Sequence, residues 1–280
     1  MKLEAGKSLP LYEIAAKNYG AAHANKIHSD AGAAEHGFAG ALVPGVALYA
    51  YLTRPVADAL GTEWLARGAM SAKLIHPIYD GELVRAEAKA IADDSPAFEL
   101  QLLNSANKLC AVGEASLPET LPELDPRNYP ALPLPPEDAR WPATIAAVNI
   151  GDTLGSLDFT LDLTGEQTRF LENMVDDSPL YRGTNAVCHP AFWIAQANEV
   201  LMRNFALGMW IHTASKTRHL ALAKEGERLS LRGRIIDAFE RRSHELVTAD
   251  LVIFGEAERA IARIKHTAII RLGKAPQRMD

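Results

Sequence analysis

The segment from His23 to Gly45, HANKIHSDAGAAEHGFAGALVPG, holds the densest group of side chains that could transfer protons. An imidazole has an ordinary pKa of about 6.5, so it can accept or donate a proton at neutral pH. His23, His28 and His36 all lie within this segment. The segment therefore predicts general acid–base chemistry performed from a loop.

Other residues of this segment have expected conformational roles. Asp30 is expected to N-cap the short Ala-rich helix that follows it. Gly37, Gly40 and Gly45 would allow backbone to approach a ligand or a neighbouring helix closely. We therefore expect a tight, irregular loop in front of the next long helix.

A second group of candidate residues lies in DDSPLYRGTNAVCH, from Asp176 to His189. Asp176, Tyr181 and His189 could supply a carboxylate, a phenol and an imidazole to a site. Asp-Ser-Pro is also a common turn opening, and a histidine before a proline can simply begin a helix. The sequence leaves both interpretations open.

The composition argues against several classes of function. The net charge is −6 and there is no run of Lys or Arg, so we expect no nucleic-acid partner. Cys110 and Cys188 are the only cysteines, and their separation indicates neither a disulfide framework nor a metal site. No Walker or Rossmann glycine motif occurs, so no nucleotide cofactor is expected. Neither a signal peptide nor a membrane-length apolar run is present, which favours a cytoplasmic protein without a membrane partner.

Proline divides the chain into two parts. Eight of the sixteen prolines fall between Pro118 and Pro142, where their fixed φ angles and missing amide donors disfavour regular structure. We predict a linker over residues 118–145, an N-terminal domain over 1–117 that carries the histidine-rich segment, and a C-terminal domain over 146–280.

Each half shows one strongly apolar helix followed by a meander of strands. Pro44 and Gly81 have the same separation as His189 and Gly226, which places a helix start and a strand-opening turn at equivalent points of both halves. Period-2 alternation indicates half-buried strands, and all-round apolar character indicates buried helices. The predicted helices span Val46–Leu60 and Ala191–Leu207, and the predicted strand segments span Gly81–Asp94, Ala97–Leu117, Arg228–Phe239, His244–Phe254 and Arg259–Leu272.

The histidine-rich segment resembles the motif of the MaoC-like (R)-specific enoyl-CoA hydratases and dehydratases. That family carries Asp-x-Asn-Pro-x-His, then x-Asp, an Ala-rich turn, a Gly-Phe pair and a His-Gly at the head of a buried helix. His23 stands where the family has the Asp, and Pro44 stands where it has the His of His-Gly. The matching residues are Asn25, Ile27, His28, Asp30, Phe38 and Gly45.

The resemblance implies a double hot-dog fold of the α+β class, with two curled antiparallel sheets that each wrap around a central helix. It implies that His28 is the catalytic histidine, that Asn25 orients it, and that His23 is its partner. Backbone amides at the helix start would polarise the thioester carbonyl. The expected substrate-binding residues are Asp30, Phe38, Pro44 and Gly45.

The implied activity is reversible hydration of a 2-enoyl-CoA, with CoA present only as part of the substrate and a homodimer possible. In the second half, Asp176 and Tyr181 fall in the register of the family's Asp and His, and His189 falls at the helix start. Two alternatives remain. One is a hot-dog thioesterase with Glu199 as its base, and the other is a non-catalytic acyl-CoA-binding protein.

Overall fold

The computed structural model describes residues 4–21, 23 and 25–273. In the first half, buried and exposed residues alternate along the strands, so each strand presents one face to a core. The sequence patterns after Gly81 therefore located this meander, although the predicted segment Ala97–Leu117 divides into two strands, Ala97–Asn104 and Leu109–Ser116. The first-half strands are β1 (Tyr12–Ala15), β2 (Ala69–Leu74), β3 (Leu83–Ala90), β4 (Ala97–Asn104) and β5 (Leu109–Ser116).

The second half repeats the meander with longer strands. Along its last strand, Ile264 and Ala268 are buried while Lys265 and Arg271 are exposed, as the alternation predicted. The strands of this half, with the two-residue strand that precedes it, are β6 (Trp141–Pro142), β7 (Leu157–Thr160), β8 (Phe205–Ala206), β9 (Ile211–His219), β10 (Arg228–Arg241), β11 (His244–Phe254) and β12 (Ala260–Arg271).

The described strands other than β6 and β8 form one antiparallel sheet, in the order β1-β3-β4-β5-β2-β9-β12-β11-β10-β7. The halves meet where β2 pairs with β9, from Ala69 opposite Arg218 to Lys73 opposite Ala214. The expectation of two separate sheets is therefore not confirmed, although the α+β class is. The pairing has a clear physical reason, since it satisfies the backbone groups of two edges that separate sheets would expose.

Two long helices pack on this sheet and against each other. The first is buried on most sides, as its apolar sequence predicted, and it leaves the helical conformation at Gly61. Pro55 lies inside this helix, where a proline usually causes a kink, but the backbone there remains helical. The helices are α1 (Asp30–Ala34), α2 (Gly45–Arg67), α3 (Glu166–Met174) and α4 (Pro190–Asn204).

The two halves match at the points where the sequence suggested a duplication. Pro44 and His189 are the N-cap residues of α2 and α4. Gly81 and Gly226 each have a φ of 73°, a left-handed conformation that glycine adopts without steric cost. Equivalent helix starts and equivalent turns therefore support an internal duplication.

The proline-rich segment contains short 3-10 turns and crosses the second half of the sheet. Tyr129 donates a hydrogen bond from its hydroxyl to Oδ2 of the buried Asp250 at 2.9 Å. Asp250 also accepts two hydrogen bonds from Arg263, both at 2.8 Å. The segment is thus fixed to the sheet by a buried carboxylate, and the domain boundaries that it suggested stay predictions.

Arg54 on α2 joins the first half to the second. Its Nη1 lies 3.1 Å from Oδ1 of Asp176 and 2.7 Å from Oδ1 of Asp177, and its Nε lies 2.7 Å from Oδ2 of Asp58. The guanidinium also lies over the ring of Tyr12, 5.0 Å from the centroid. Because Asp176 is only 4% exposed, its charge depends on these partners.

No helix among the described residues is long and apolar enough to cross a bilayer.

Arg54→Met should lower the free energy of unfolding by about 3 kcal/mol, because it removes a cation from a buried carboxylate and leaves that charge undercompensated. Urea unfolding followed by tryptophan fluorescence measures the change. Arg127→Met is a matched control, since Arg127 pairs with Asp125 on the surface and is 89% exposed. The control should leave the unfolding midpoint unchanged, and equal shifts for both variants would contradict the role given to Arg54.

Candidate active site

A cavity of 1260 Å³ lies between the two halves of the molecule. The first half contributes the histidine-rich loop, the start of α2 and residues 73–78, and the second contributes α3, α4, β9 and the β10–β11 hairpin. Typical small-molecule sites have volumes of about 300–1,000 Å³. The cavity therefore has room for an extended ligand, and residues of both halves surround it.

His28 lines this cavity at the end of a 3-10 turn, Lys26–His28. Its Nδ1 lies 2.8 Å from the carbonyl oxygen of Leu42 and donates to it, which places the proton on Nδ1 and leaves Nε2 as the basic nitrogen. Among the described residues, Nε2 has no hydrogen-bond partner. Burial lowers the pKa of His28, the bond to Leu42 opposes that shift, and the charge of His23 lowers it further. The ring is therefore suited to act as a neutral base.

Gly20 allows the imidazole of His28 to lie against the preceding loop. A Cβ at Gly20 would stand 2.7 Å from Cγ of His28, which is closer than real Cβ contacts come. Gly20 belongs to no motif in the sequence, because its importance arises from a close approach that only the fold creates.

His23 and Asn25 approach His28 in different ways. The ring of His23 lines the cavity and lies edge-on to that of His28, with 6.4 Å between the centroids, so one water can bridge the two rings. Asn25 accepts a hydrogen bond from the amide of Ile27 at 3.3 Å and donates one to the carbonyl of Trp210 at 2.9 Å. Asn25 thus holds the turn that carries His28 and ties it to the second half, while the orienting bond comes from Leu42. Ala24, between them, lies outside the described residues.

The expected substrate-binding residues have different positions. Phe38, Pro44 and Gly45 line the cavity, but Asp30 does not. The expectation that Asp30 N-caps α1 is wrong, since Ser29 is the cap and accepts a hydrogen bond from the amide of Gly32. Asp30 instead accepts a bond from the amide of Ala41 at 2.8 Å, which closes the loop on itself. A carboxylate in the first turn of the helix also interacts favourably with its dipole.

Asp176 and His189 form a buried pair in the second half. His189 accepts a hydrogen bond at Nδ1 from the amide of Ala191 at 3.0 Å, so its proton lies on Nε2, which is 3.3 Å from Oδ2 of Asp176. Burial alone would raise the pKa of Asp176, but hydrogen bonds from His189 and the Ser178 amide, together with the charge of Arg54, hold it below its ordinary value. The pair thus consists of the ionised carboxylate of Asp176 and an imidazole N–H of His189 that faces it.

Tyr181 completes this buried cluster. Its ring centroid lies 4.4 Å from that of His189, and burial raises the pKa of its hydroxyl well above the ordinary value. Among the described residues the hydroxyl has no hydrogen-bond partner. Asp176, Tyr181 and His189 gather with each other and, unlike His28, do not line the cavity.

Several cavity groups had no place in the motif. Glu199 on α4 lines the cavity, and its Oε1 lies 3.7 Å from Nη1 of Arg203. Glu166 on α3 also lines the cavity, and burial raises its pKa. Asn198 also lines it, and its Oδ1 is buried without a partner among the described residues. Basic side chains face the cavity as well, namely Lys73, Arg169, Arg241, Arg242 and His244.

His212 on β9 is the buried cavity residue that sequence reasoning missed. A register shift between Thr267 and Ala268 of β12 breaks the alternation of β9 at this point, so period-2 analysis gives no clear inward parity. His212 lines the cavity with 4% of its surface exposed. In the part of the chain that the structure describes, no group of three or more acidic, histidine or cysteine side chains could hold a metal ion.

Comparison with known proteins identifies the fold. No protein-family model matches the chain, and no curated protein matches it significantly in sequence. A MaoC domain protein dehydratase from Chloroflexus aurantiacus superposes with a TM-score of 0.67 at 10% identity, covering 97% of each chain. A conserved hypothetical protein from Mycobacterium tuberculosis with a double hot-dog fold gives 0.58 at 15% identity, covering 95% of this chain and 96% of that one. An oleoyl thioesterase (putative) from Lactobacillus plantarum gives a TM-score of 0.56 at 11% identity, covering 97% of this chain and 98% of that one.

These similarities extend over nearly the whole chain, so they include both halves and not one alone. At such low identity they establish fold and not activity. The expected resemblance to MaoC-like dehydratases is confirmed at the level of structure. The chain has a hot-dog-like α+β fold, shared with MaoC-like dehydratases and with hot-dog thioesterases.

Proposed function

We propose that this protein is a hydro-lyase that reversibly adds water to a 2-enoyl-CoA thioester to give a 3-hydroxyacyl-CoA. The observation that carries the proposal is His28, whose imidazole is fixed by Leu42 at the wall of a cavity of 1260 Å³. The fold shared with MaoC-like dehydratases supports it. We propose a cytoplasmic location on the basis of the sequence alone.

In the proposed reaction, Nε2 of His28 takes a proton from water as the water oxygen bonds to C3 of the enoyl group. The electron pair of the double bond moves toward the thioester oxygen, and C2 then receives the proton that His28 took up. His23 stands where it can hold the same water, since its ring faces that of His28. The sum of these steps is the addition of one water, with no other reactant required.

The basic side chains that face the cavity would bind the phosphates of CoA. Arg241 and Arg242 lie at the β10–β11 turn, and Arg169 lies on α3. All three side chains are exposed, so they can meet a polyanion that enters from solvent. The chain as a whole has a net charge of −6, so anion binding depends on local groups of cations such as this one.

Thioester hydrolysis is the second candidate function, and the position of Glu199 favours it. Hydrolysis needs a base that activates water toward the carbonyl carbon, and Glu199 lines the cavity from the helix of the second half. A Glu199→Gln variant separates the two reactions. It should leave hydration at the wild-type rate, whereas free-thiol release that disappears in this variant would replace our proposal by hydrolysis.

His28→Gln should lower kcat for hydration about 10²- to 10⁴-fold, the usual contribution of one general acid–base group. The assay follows loss of the conjugated enoyl absorbance over a panel of 2-enoyl-CoA thioesters, with free thiol measured in parallel. His36→Gln is the matched control, because His36 belongs to the same loop and does not line the cavity. Saturable binding of the thioesters without turnover in the wild type would point to a non-catalytic acyl-CoA-binding protein.

The pH profile should carry the signature of His28. A base must be unprotonated, so kcat/KM should rise with pH through the pKa of His28 and reach a plateau above it. Because burial and the charge of His23 lower that pKa, the midpoint should lie below the ordinary histidine value of about 6.5. His23→Gln removes one of these effects and should move the midpoint to higher pH. A shift to lower pH in the variant would contradict the assignment.

A further inference from the structure

His212 lies beside the start of α2, and both line the cavity between the two halves. A Cβ built on Gly45 would lie 2.9 Å from Nδ1 of His212 and 2.6 Å from Cδ1 of Leu74. Glycine at position 45 therefore lets the imidazole come close to the helix backbone. His212 belongs to the second half, so this contact crosses the β2–β9 junction.

Two kinds of donor meet at this point. The amides of Gly45 and Val46 occupy the first turn of α2, where helix geometry provides no intrahelical partner, and the N-cap Pro44 makes no side-chain cap. Nδ1 of His212 is buried and has no hydrogen-bond partner among the described residues. An unpaired buried nitrogen at a cavity wall is costly unless a ligand satisfies it.

A hydrogen-bond chain behind His212 fixes its tautomer. Nε2 of His212 lies 2.8 Å from Oγ of Ser215, and the same Oγ lies 2.9 Å from Nδ1 of His266. The rings of His212 and His266 stack with 4.5 Å between centroids. Nε2 of His266 is buried without a partner among the described residues.

The direction of this chain follows from the cost of orphaned groups. Either direction leaves one buried N–H without a described acceptor, on Nε2 of His266 if Ser215 donates to His266, or on Nδ1 of His212 if His266 donates to Ser215. His212 lines the cavity and His266 does not, so only the second N–H can be satisfied by a ligand. This second direction runs from His266 through Ser215 to Nε2 of His212 and leaves the proton of His212 on Nδ1. Burial lowers the pKa of His212 to about 4, against a smaller opposite effect of the Ala214 backbone, so the ring is neutral at pH 7.

We infer that Nδ1–H of His212, together with the first amides of α2, donates to the thioester carbonyl oxygen of the bound acyl-CoA. The inference rests on the proposed function for the identity of the ligand. It makes His212 a catalytic residue, since the oxygen it contacts gains negative charge as water adds to C3. A side chain from the second half would thereby complete a site whose base comes from the first.

The test uses the full-length protein and a ligand that cannot react. A ketone analogue of hexanoyl-CoA, with CH₂ in place of the thioester sulfur and ¹³C at the carbonyl, has neither a double bond to hydrate nor a thioester to hydrolyse. Infrared spectroscopy of the bound analogue reports the hydrogen bonds that its carbonyl accepts. In the wild type the carbonyl band should shift to lower wavenumber than in water.

Two substitutions of the same histidine separate its two nitrogens. An Asn side chain can place an amide near the position of Nδ1, and a Gln side chain can place one near Nε2. His212→Gln should abolish part of the shift and lower kcat for hydration about 10²- to 10³-fold, as loss of one such donor does elsewhere. His212→Asn should retain more of the band shift and more of kcat than His212→Gln does. If the band of His212→Gln equals that of the wild type, the inference is wrong.

His219→Gln is the matched control for damage to the fold. His219 lies on the same strand, is 1% exposed, has an Nε2 without a described partner and does not line the cavity. The His219→Gln variant should keep the wild-type carbonyl band. An equal loss of the band shift in His219→Gln and His212→Gln would overturn the role of His212. Failure of the wild type to bind the analogue would overturn it as well. Failure of the proposed hydration is seen separately, as no His28-dependent loss of enoyl absorbance, while the band still decides the role of His212.

Discussion

The pairing of β2 with β9 is the constraint on which the rest of the structure depends. It continues the hydrogen bonding of one half into the other and turns two meanders into a single sheet. Because each half carries a buried helix on the same sheet, the pairing also places α2 against α4. The cavity lies where these helices, β9 and the histidine-rich loop meet, so it depends on the junction as much as on either half.

The cavity combines two kinds of polar group, and the difference suits the proposed chemistry. Exposed cations lie where a polyanionic group can enter, and the half-buried imidazole of His28 and the buried one of His212 lie where the reacting atoms would be held. A neutral ring costs far less to bury than a charged one and still offers a lone pair or a directed N–H. The buried pair of Asp176 and His189 differs from these groups, since it contains a charged carboxylate, which Arg54 and His189 compensate. That arrangement stabilises the contact between the halves.

Local patterns predicted the elements well but could not predict how they pair. Alternation located the strands of both meanders, and apolar runs located α2 and α4, because these signals come from burial of one face at a time. The β2–β9 pairing left no such trace, since an edge strand and a central strand can share one sequence pattern. At the site, the spacing from His23 to Gly45 identified the loop, but Leu42 as the partner of His28 depends on a backbone carbonyl that carries no side-chain signal. His212 escaped notice because a bulge shifts its parity.

The helix starts at Pro44 and His189 show what fusion of two similar halves permits. In a homodimer with two-fold symmetry, any substitution appears twice, so a residue that helps one site must be tolerated at its copy. A covalent duplication removes this coupling. Here one helix begins with an uncapped proline that opens to a cavity, and the other with a histidine sealed into a salt-bridged core. The two positions can therefore differ, and the molecule can maintain one deep cavity while the corresponding region of its other half serves as a structural joint.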